Sequence, residues 1–484
     1  MQNDKGEDMD NKGYITVFMM MITAALISLV IAVMNIVDLS NAEAKLAIAV
    51  NCAESDIKAG YDRYIFDNYH ILLIDSDFDG RKEGYLEERA EENLRNNLGE
   101  SFSDIKVNLT DKTYIMDNDC AELKKQISDY FIYGLGDSVI DNILDKTKEE
   151  SPLNEGVMEE IIDSADKESK KIEQKQSNDK NKKTDEKKSK EKDPRDSVKK
   201  YSDSGIADLL NPKGGSFHDY NVDKSLMPSI NKKSFEDRIQ VDRKFSDMDR
   251  FKEDALSGNE WTDGLKESAI TLSYVSNTFN CFTDGDSPDK ALNLEIEYLI
   301  AGKKNDKENF IAVINKIIVV RLGFNYGYII TDLDKVSKMS ALAWELCALT
   351  PIAQPAVKYL LLGCWAYIES VADAYSLLRG NNVAYLKNKS NWKTDLSALT
   401  HLEDFCSSND EKGLSYKEYL LILLTFHMDE SYYRMLDIMQ MNVNLNEERN
   451  GNYLYISNCI TSFSLDVTAN YKGKEIFISE DTGY

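Results

Sequence analysis

Histidine and proline are scarce in this chain, with four and seven residues among 484. Four histidines leave few candidates for acid–base work near neutral pH. No proline falls between Met1 and Leu98, so nothing there compels a helix to break. The seven cysteines, at positions 52, 120, 281, 347, 364, 406 and 459, include no CxxC pair, which excludes the common zinc and thiol-redox motifs. Their odd number argues against a full disulfide framework, and their mostly apolar surroundings suit buried thiols in a reducing or anaerobic habitat. H-E-x-x-H, G-x-S-x-G, Walker and dinucleotide-binding fingerprints are absent. Positive charge is also short: 58 Lys and Arg face 84 Asp and Glu, a net charge of −26 that repels phosphate backbones and excludes nucleic acid as a natural partner.

What is present supports folded cores, since 42% of residues are hydrophobic and 10% aromatic. Charge is uneven. From Lys167 to Lys200 fourteen basic residues face eight acidic ones, with Ile172 and Val198 as the only aliphatic side chains. Such a stretch cannot bury enough apolar surface to offset its ordering entropy, so 167–200 is expected to be a charged, disordered linker.

After a short leader, residues 1–12, one uncharged apolar run from Gly13 to Val37 is long enough to cross a bilayer as a helix. The leader lacks the basic character of a secretory signal, so 13–37 is expected to be an anchor, although Ala42-Glu43-Ala44 offers an A-x-A cleavage pattern. Beyond it Leu46, Val50, Ala53, Ile57, Tyr61 and Tyr64 recur at intervals of three and four among polar residues, which predicts an amphipathic stalk helix over 38–72. That stripe has two readings: packing on the protein's own body, or helix-to-helix assembly into a homo-oligomer.

The expected fold is α+β and predominantly α. A small α+β lobe occupies 73–166, with a β-hairpin about Thr110–Lys112. A weakly patterned segment, 201–264, leads into a larger helical lobe at 265–445, and C-terminal strands at 446–484 close the chain as a hairpin about Lys472-Gly473-Lys474. Lys316, Arg321, Glu345 and Lys358 interrupt the apolar runs of the helical lobe, which makes them core helices rather than further spans.

Candidate chemistry is thin. Asp75, Asp77, Asp79 and Gly80 match the first half of a calcium loop, but the twelfth position is Leu86 where a bidentate Glu belongs. An acidic surface turn is the plainer expectation, and no other metal or cofactor is expected. His401-Leu402-Glu403 lacks the Pro-Cys-x-x-Cys that would complete a deaminase zinc site. Cys406 beside His401 or His427 would give a thiol nucleophile and base only if the fold joined them, so an anchored cell-wall enzyme using carboxylates or this cysteine is the alternative to a non-enzymatic protein.

The opening GYITVFMMMITAALISLVIAVMNIV, with YDRYIFDNYHILLID after it, resembles the anchored TadE/TadG pseudopilin-like proteins of tight-adherence (Tad) pilus loci in Gram-positive bacteria. EYLIAG (Glu297 to Gly302), Asn309, Arg321 and Asn325 are similar to one uncharacterised family of that group. So are WAYIESVADAYSLLRG (Trp365 to Gly380), Lys387, Trp392, YKEYLLILL (Tyr416 to Leu424) and RMLDIMQMNV (Arg434 to Val443). The resemblance implies a single-pass cell-membrane protein with its bulk outside the cell, partnering pilus or surface-assembly proteins, and a processing site between Gly13 and Tyr14. The chain departs from major pilins at Phe18, the fifth residue after that site, where they carry a Glu that pairs with a neighbouring N-terminus. This departure favours a membrane-held assembly partner over a filament subunit.

Overall fold

The computed structural model describes residues 7–76, 84–134, 193–203, 210, 217–231, 263–348, 351–395, 410, 412–446 and 453–484. The main elements are α1 (Glu7–Lys58), α2 (Arg63–Tyr69), β1 (Ile74–Asp75), α3 (Tyr85–Leu98), β2 (Phe102–Tyr114), α4 (Asp117–Gly134) and α5 (Pro194–Asp203), with short helical turns at Gly99–Ser101 and Pro228–Asn231. They continue with α6 (Asp263–Thr278), α7 (Glu295–Ala301), α8 (Asp306–Ile329), α9 (Leu333–Leu346), α10 (Gln354–Leu377), α11 (Tyr416–Thr425), α12 (Met428–Asn446), β3 (Cys459–Tyr471) and β4 (Lys474–Gly483). The fold is α+β and predominantly α, and its chain divides into two compact units.

Unit 1 gathers 1–63, 72–115 and 457–484. Its sheet is antiparallel and centred on β3, which pairs with β1, β2 and β4. Val107 lies opposite Val467, which lies opposite Ile478, so β-branched side chains from three strands form one cross-strand row. The alternating Ile105, Val107, Leu109 and Phe463, Leu465, Val467, Ala469 turn one face toward a core that also holds Leu86, Ala90, Leu94 and Leu98 of α3. The C-terminal hairpin is present, turning through Lys472 and Gly473 at φ 51° and 83°, the conformation that a two-residue type I′ turn demands. Its partner is β2, more than 340 residues earlier in the chain.

Two expectations change here. The hairpin about Thr110–Lys112 is instead a bulge within one continuous strand: Asp111 takes φ 46°, the register shifts between Thr110 and Thr113, and β2 goes on pairing with β3. The stalk helix is shorter than the expected 38–72, and of the two readings of its stripe the structure shows packing on the protein's own body. α1 runs to Lys58 rather than residue 72, and Ala42, Leu46, Ala49, Val50, Ala53 and Ile57 are buried in the unit 1 core. Gly60 then lets the backbone close tightly on Ile57, where an added Cβ would sit 3.0 Å from the Ile57 carbonyl oxygen.

Unit 2 gathers 64–71 and 116–456. α8 and α10, each 24 residues long, pack against one another, with α9 along α10. α4 packs against α6 and α12 in this unit, although its place in the sequence suggested the first lobe. α5 packs on α10 with Pro194 and Ser197 buried, so the last residues of the expected linker are an ordered helix, and 167–192 lies outside the described residues. A helix of 10 residues is marginal by itself, and its order comes from this tertiary contact.

Candidate functional sites

The densest polar arrangement is an ionic centre inside unit 2. α8 brings Arg321 and, one turn later, Asn325. α10 answers with Glu369, Ser370 and Asp373, whose spacing puts them on one helix face. After α10 the chain reverses at Gly380, φ 79°, and a non-helical return delivers Lys387 and Lys393. That return is pinned by a bridge between Val383 and Leu414, at which Gly413 comes so close that a Cβ would lie 2.4 Å from the Val383 carbonyl carbon.

Arg321 donates from Nε and Nη2 to Asp373 Oδ2 at 3.1 and 2.9 Å. Its Nη1 donates to the carbonyls of Ala384 and Tyr385 and to Tyr419 Oη, and its Nη2 also reaches Asn325 Oδ1. Lys387 Nζ bridges Glu369 Oε1 at 2.6 Å and Asp373 Oδ1 at 2.7 Å. Glu369 further accepts from the backbone N–H groups of Lys393 and Thr394 at 2.9 and 2.8 Å. Arg321, Glu369, Asn325, Ser370 and Asp373 are fully buried. Burial alone would raise Asp373, but the Lys387 and Arg321 charges outweigh it and hold the carboxyl well below the ordinary range. Lys393 is lowered chiefly by burial; its Nζ has no hydrogen-bond acceptor among the described residues and lies 3.8 Å from Asp373 Oδ1.

A second set of buried carboxylates ties irregular backbone to helices. Asp306 accepts from the N–H groups of His218, Asn293 and Leu294, closing the start of α7. Glu295 accepts from Asn280 N, Lys290 Nζ and Asn442 Nδ2. Glu297 Oε1 accepts from Phe282 N and Tyr416 Oη, while its Oε2 has no partner among the described residues; burial raises its pKa to about 7. Asp437 accepts from Ser229 N, Ser229 Oγ and Tyr298 Oη and is raised by burial to about 6. All four have no solvent exposure, and each accepts hydrogen bonds that hold irregular backbone or a neighbouring side chain in place.

The third arrangement lies where α1 meets unit 1. Every described side chain from Tyr14 to Val37 is exposed, and Asp38 is the first that is not. Its carboxylate accepts from Lys472 Nζ at 2.6 Å and Tyr471 Oη at 3.0 Å, which hold its pKa below the ordinary value.

The residues singled out from sequence are distributed among these places. Gly13 lies within α1 and Tyr14 is 77% exposed. Leu46, Val50, Ala53 and Ile57 lie together in the unit 1 core, whereas Tyr61 and Tyr64 fall beyond the end of α1 and are half-buried. Asp75 is in β1; Asp77, Asp79 and Gly80 lie outside the described residues, as do His401, Glu403 and Cys406. His427 is described, its Nε2 2.6 Å from Lys316 Nζ. Among the described residues no group of three His, Cys, Asp or Glu is placed to hold a metal ion.

Residues 184–471, more than half of the chain, match a family described as a family of unknown function, DUF5702. The chain belongs to DUF5702. The DUF5702 region takes in the ionic centre, the carboxylate set and the whole of β3, whereas β1, β2 and α1 lie outside it. No curated protein and no solved structure matches the chain. The blocks EYLIAG, WAYIESVADAYSLLRG and RMLDIMQMNV contribute Glu297, Tyr298, Glu369, Ser370, Asp373 and Asp437 to the buried networks. Among the chain's 84 acidic residues their acids carry no signal, since pairs arise by chance; the available signal is the i, i+4 placement of Glu369 and Asp373 inside the mostly apolar stretch from Leu360 to Leu377.

Proposed function

We propose that this protein is a non-enzymatic, membrane-anchored structural or assembly protein, single-pass, with its bulk outside the cell, serving a Tad-type pilus or a related surface system. One observation carries the reading: α1 is a single helix with two environments. From Tyr14 to Val37 it exposes apolar side chains for about 36 Å at ~1.5 Å per residue, which exceeds a ~30 Å hydrocarbon core. From Ala42 to Ile57 the same helix is an integral wall of the unit 1 core. An anchor built into a folded body transmits position, which is what an assembly protein needs. The ionic centre of unit 2 supports this reading, because Arg321, Lys387, Glu369 and Asp373 pair with one another inside the fold and confer rigidity. α8, also long and apolar, buries Phe310, Val313, Ile314, Ile317 and Ile318 and keeps Arg321 paired inside, as a core helix does.

Removing residues 1–37 behind a cleavable signal tests the proposal. The account predicts folded protein released from the membrane and loss of surface assembly; assembly that continues unchanged overturns it. The cut belongs at Val37, since removal as far as Ala44 would also take Ala42 from the core.

A further inference from the structure

The turn joining β3 to β4 is fixed to α1 at the point where the apolar segment ends. Asp38 directly follows Val37 and holds both Tyr471 and Lys472. Strand register brings a second piece of chain to the same end: Phe102 pairs with Tyr471, their rings 5.1 Å apart, so the Gly99–Ser101 turn that precedes Phe102 also lies there. No exposed spacer separates this end from the apolar segment, because Leu39 packs against the core and Ala42 and Leu46 are within it.

We propose that this end of unit 1 is a lipid-facing surface: the Tyr471–Lys474 turn, with Gly99–Ser101 beside it, rests in the headgroup layer of the bilayer that α1 crosses. The inference rests on the anchor reading of α1 and sharpens it from a tether to a seated body. Tyr471 supplies the amphipathic ring that favours the interfacial layer. Lys472 and Asp38 neutralise each other, so the clasp brings no net charge to the surface. Lys474, exposed beyond the turn, is free to meet headgroup phosphates. With contacts on both Tyr471 and Lys472, α1 cannot pivot at its exit, and the orientation of unit 1 to the bilayer is set by the fold.

The test uses the full chain reconstituted in phosphatidylcholine–phosphatidylglycerol vesicles. In a Cys52→Ser background, with the parent signal subtracted, an environment-sensitive fluorophore is placed by Lys474→Cys or by Asp481→Cys, which is exposed and about 23 Å further along β4 at ~3.3 Å per residue. A lipid carrying a nitroxide on its headgroup should quench the probe at 474 several-fold more than the probe at 481. Equal quenching at the two positions, or none at 474 in chain that floats with the vesicles, overturns the seated body while leaving the anchor intact. Chain that fails to float with the vesicles overturns the anchor reading itself, and the seated body with it.

Discussion

Arg321 and Asp373 meet at 2.9 Å with neither side chain exposed to solvent. Two ions at full burial are tolerated only when every remaining donor and acceptor is also met. Here Lys387, Asn325, Tyr419 and two backbone carbonyls meet them.

Asp373→Ala should therefore be severely destabilising. It leaves Arg321 and Lys387 buried without their shared anion, a loss of about 3–5 kcal/mol by analogy with broken buried pairs. Chemical denaturation followed by circular dichroism should show the midpoint of unit 2 falling steeply. A change no larger than that of an exposed pair, such as Lys389→Ala beside Asp334, would mean that the centre is not structural.

Stability should also rise as pH falls from 8 toward 5. Burial raises Glu297 to about 7 and Asp437 to about 6, both above the unfolded carboxylate range, so the native state holds these protons more tightly. Their favourable contribution is complete below the unfolded pKa and is lost as pH climbs through the folded value. Asp373 acts in the opposite direction, its stabilising charge lost only as pH falls below the ordinary carboxylate range. Glu297→Gln keeps acceptors for Phe282 and Tyr416 without the ionisation. Denaturation midpoints measured from pH 5 to 8 should vary less in this variant, and slopes equal to wild type would refute the assignment.

How much of this was visible beforehand differs by element. The apolar run, the Leu46-to-Ile57 stripe and the Lys472-Gly473 turn are local patterns and are legible in sequence as a long helix, an amphipathic face and a hairpin turn, whereas the body on which the stripe packs is not a local property. The pairing of β2 with β3 joins segments more than 340 residues apart, and no local rule encodes such a partner. Asp111 carried a turn signal that the sheet absorbed as a bulge. The ionic centre was hidden for a different reason: burial turns an acid from surface solvent-seeker into network member, and burial is a tertiary property. Arg321 marked α8 as a core helix, but its partner at Asp373 could not be named without the fold.

Because β3 is the shared neighbour of β1, β2 and β4, deletion of 459–484 should unmake unit 1 as a whole. Leu46, Val50 and Ile57 would lose their cover, and limited proteolysis should cut within 40–63 and 84–115 at rates far above wild type. Leu46→Ala is the gentler form, costing about 2–5 kcal/mol for a fully buried leucine. Unchanged protease resistance in the deletion would show that the sheet is not built around β3.

Mass spectrometry of the mature N-terminus should find a start at or before Tyr14. A cut after Ala44 would discard Asp38 and Ala42, and with them the clasp to Lys472 and part of the core. A start at Lys45 is the outcome that contradicts an anchored body.

The most direct measurement is protease access in intact protoplasts combined with carbonate extraction of membranes. The account predicts that the chain resists extraction, and that external protease removes unit 2 while leaving a membrane-held fragment containing Tyr14–Val37. Recovery of the chain in the soluble fraction, or protection of unit 2 until the cells are lysed, would contradict it.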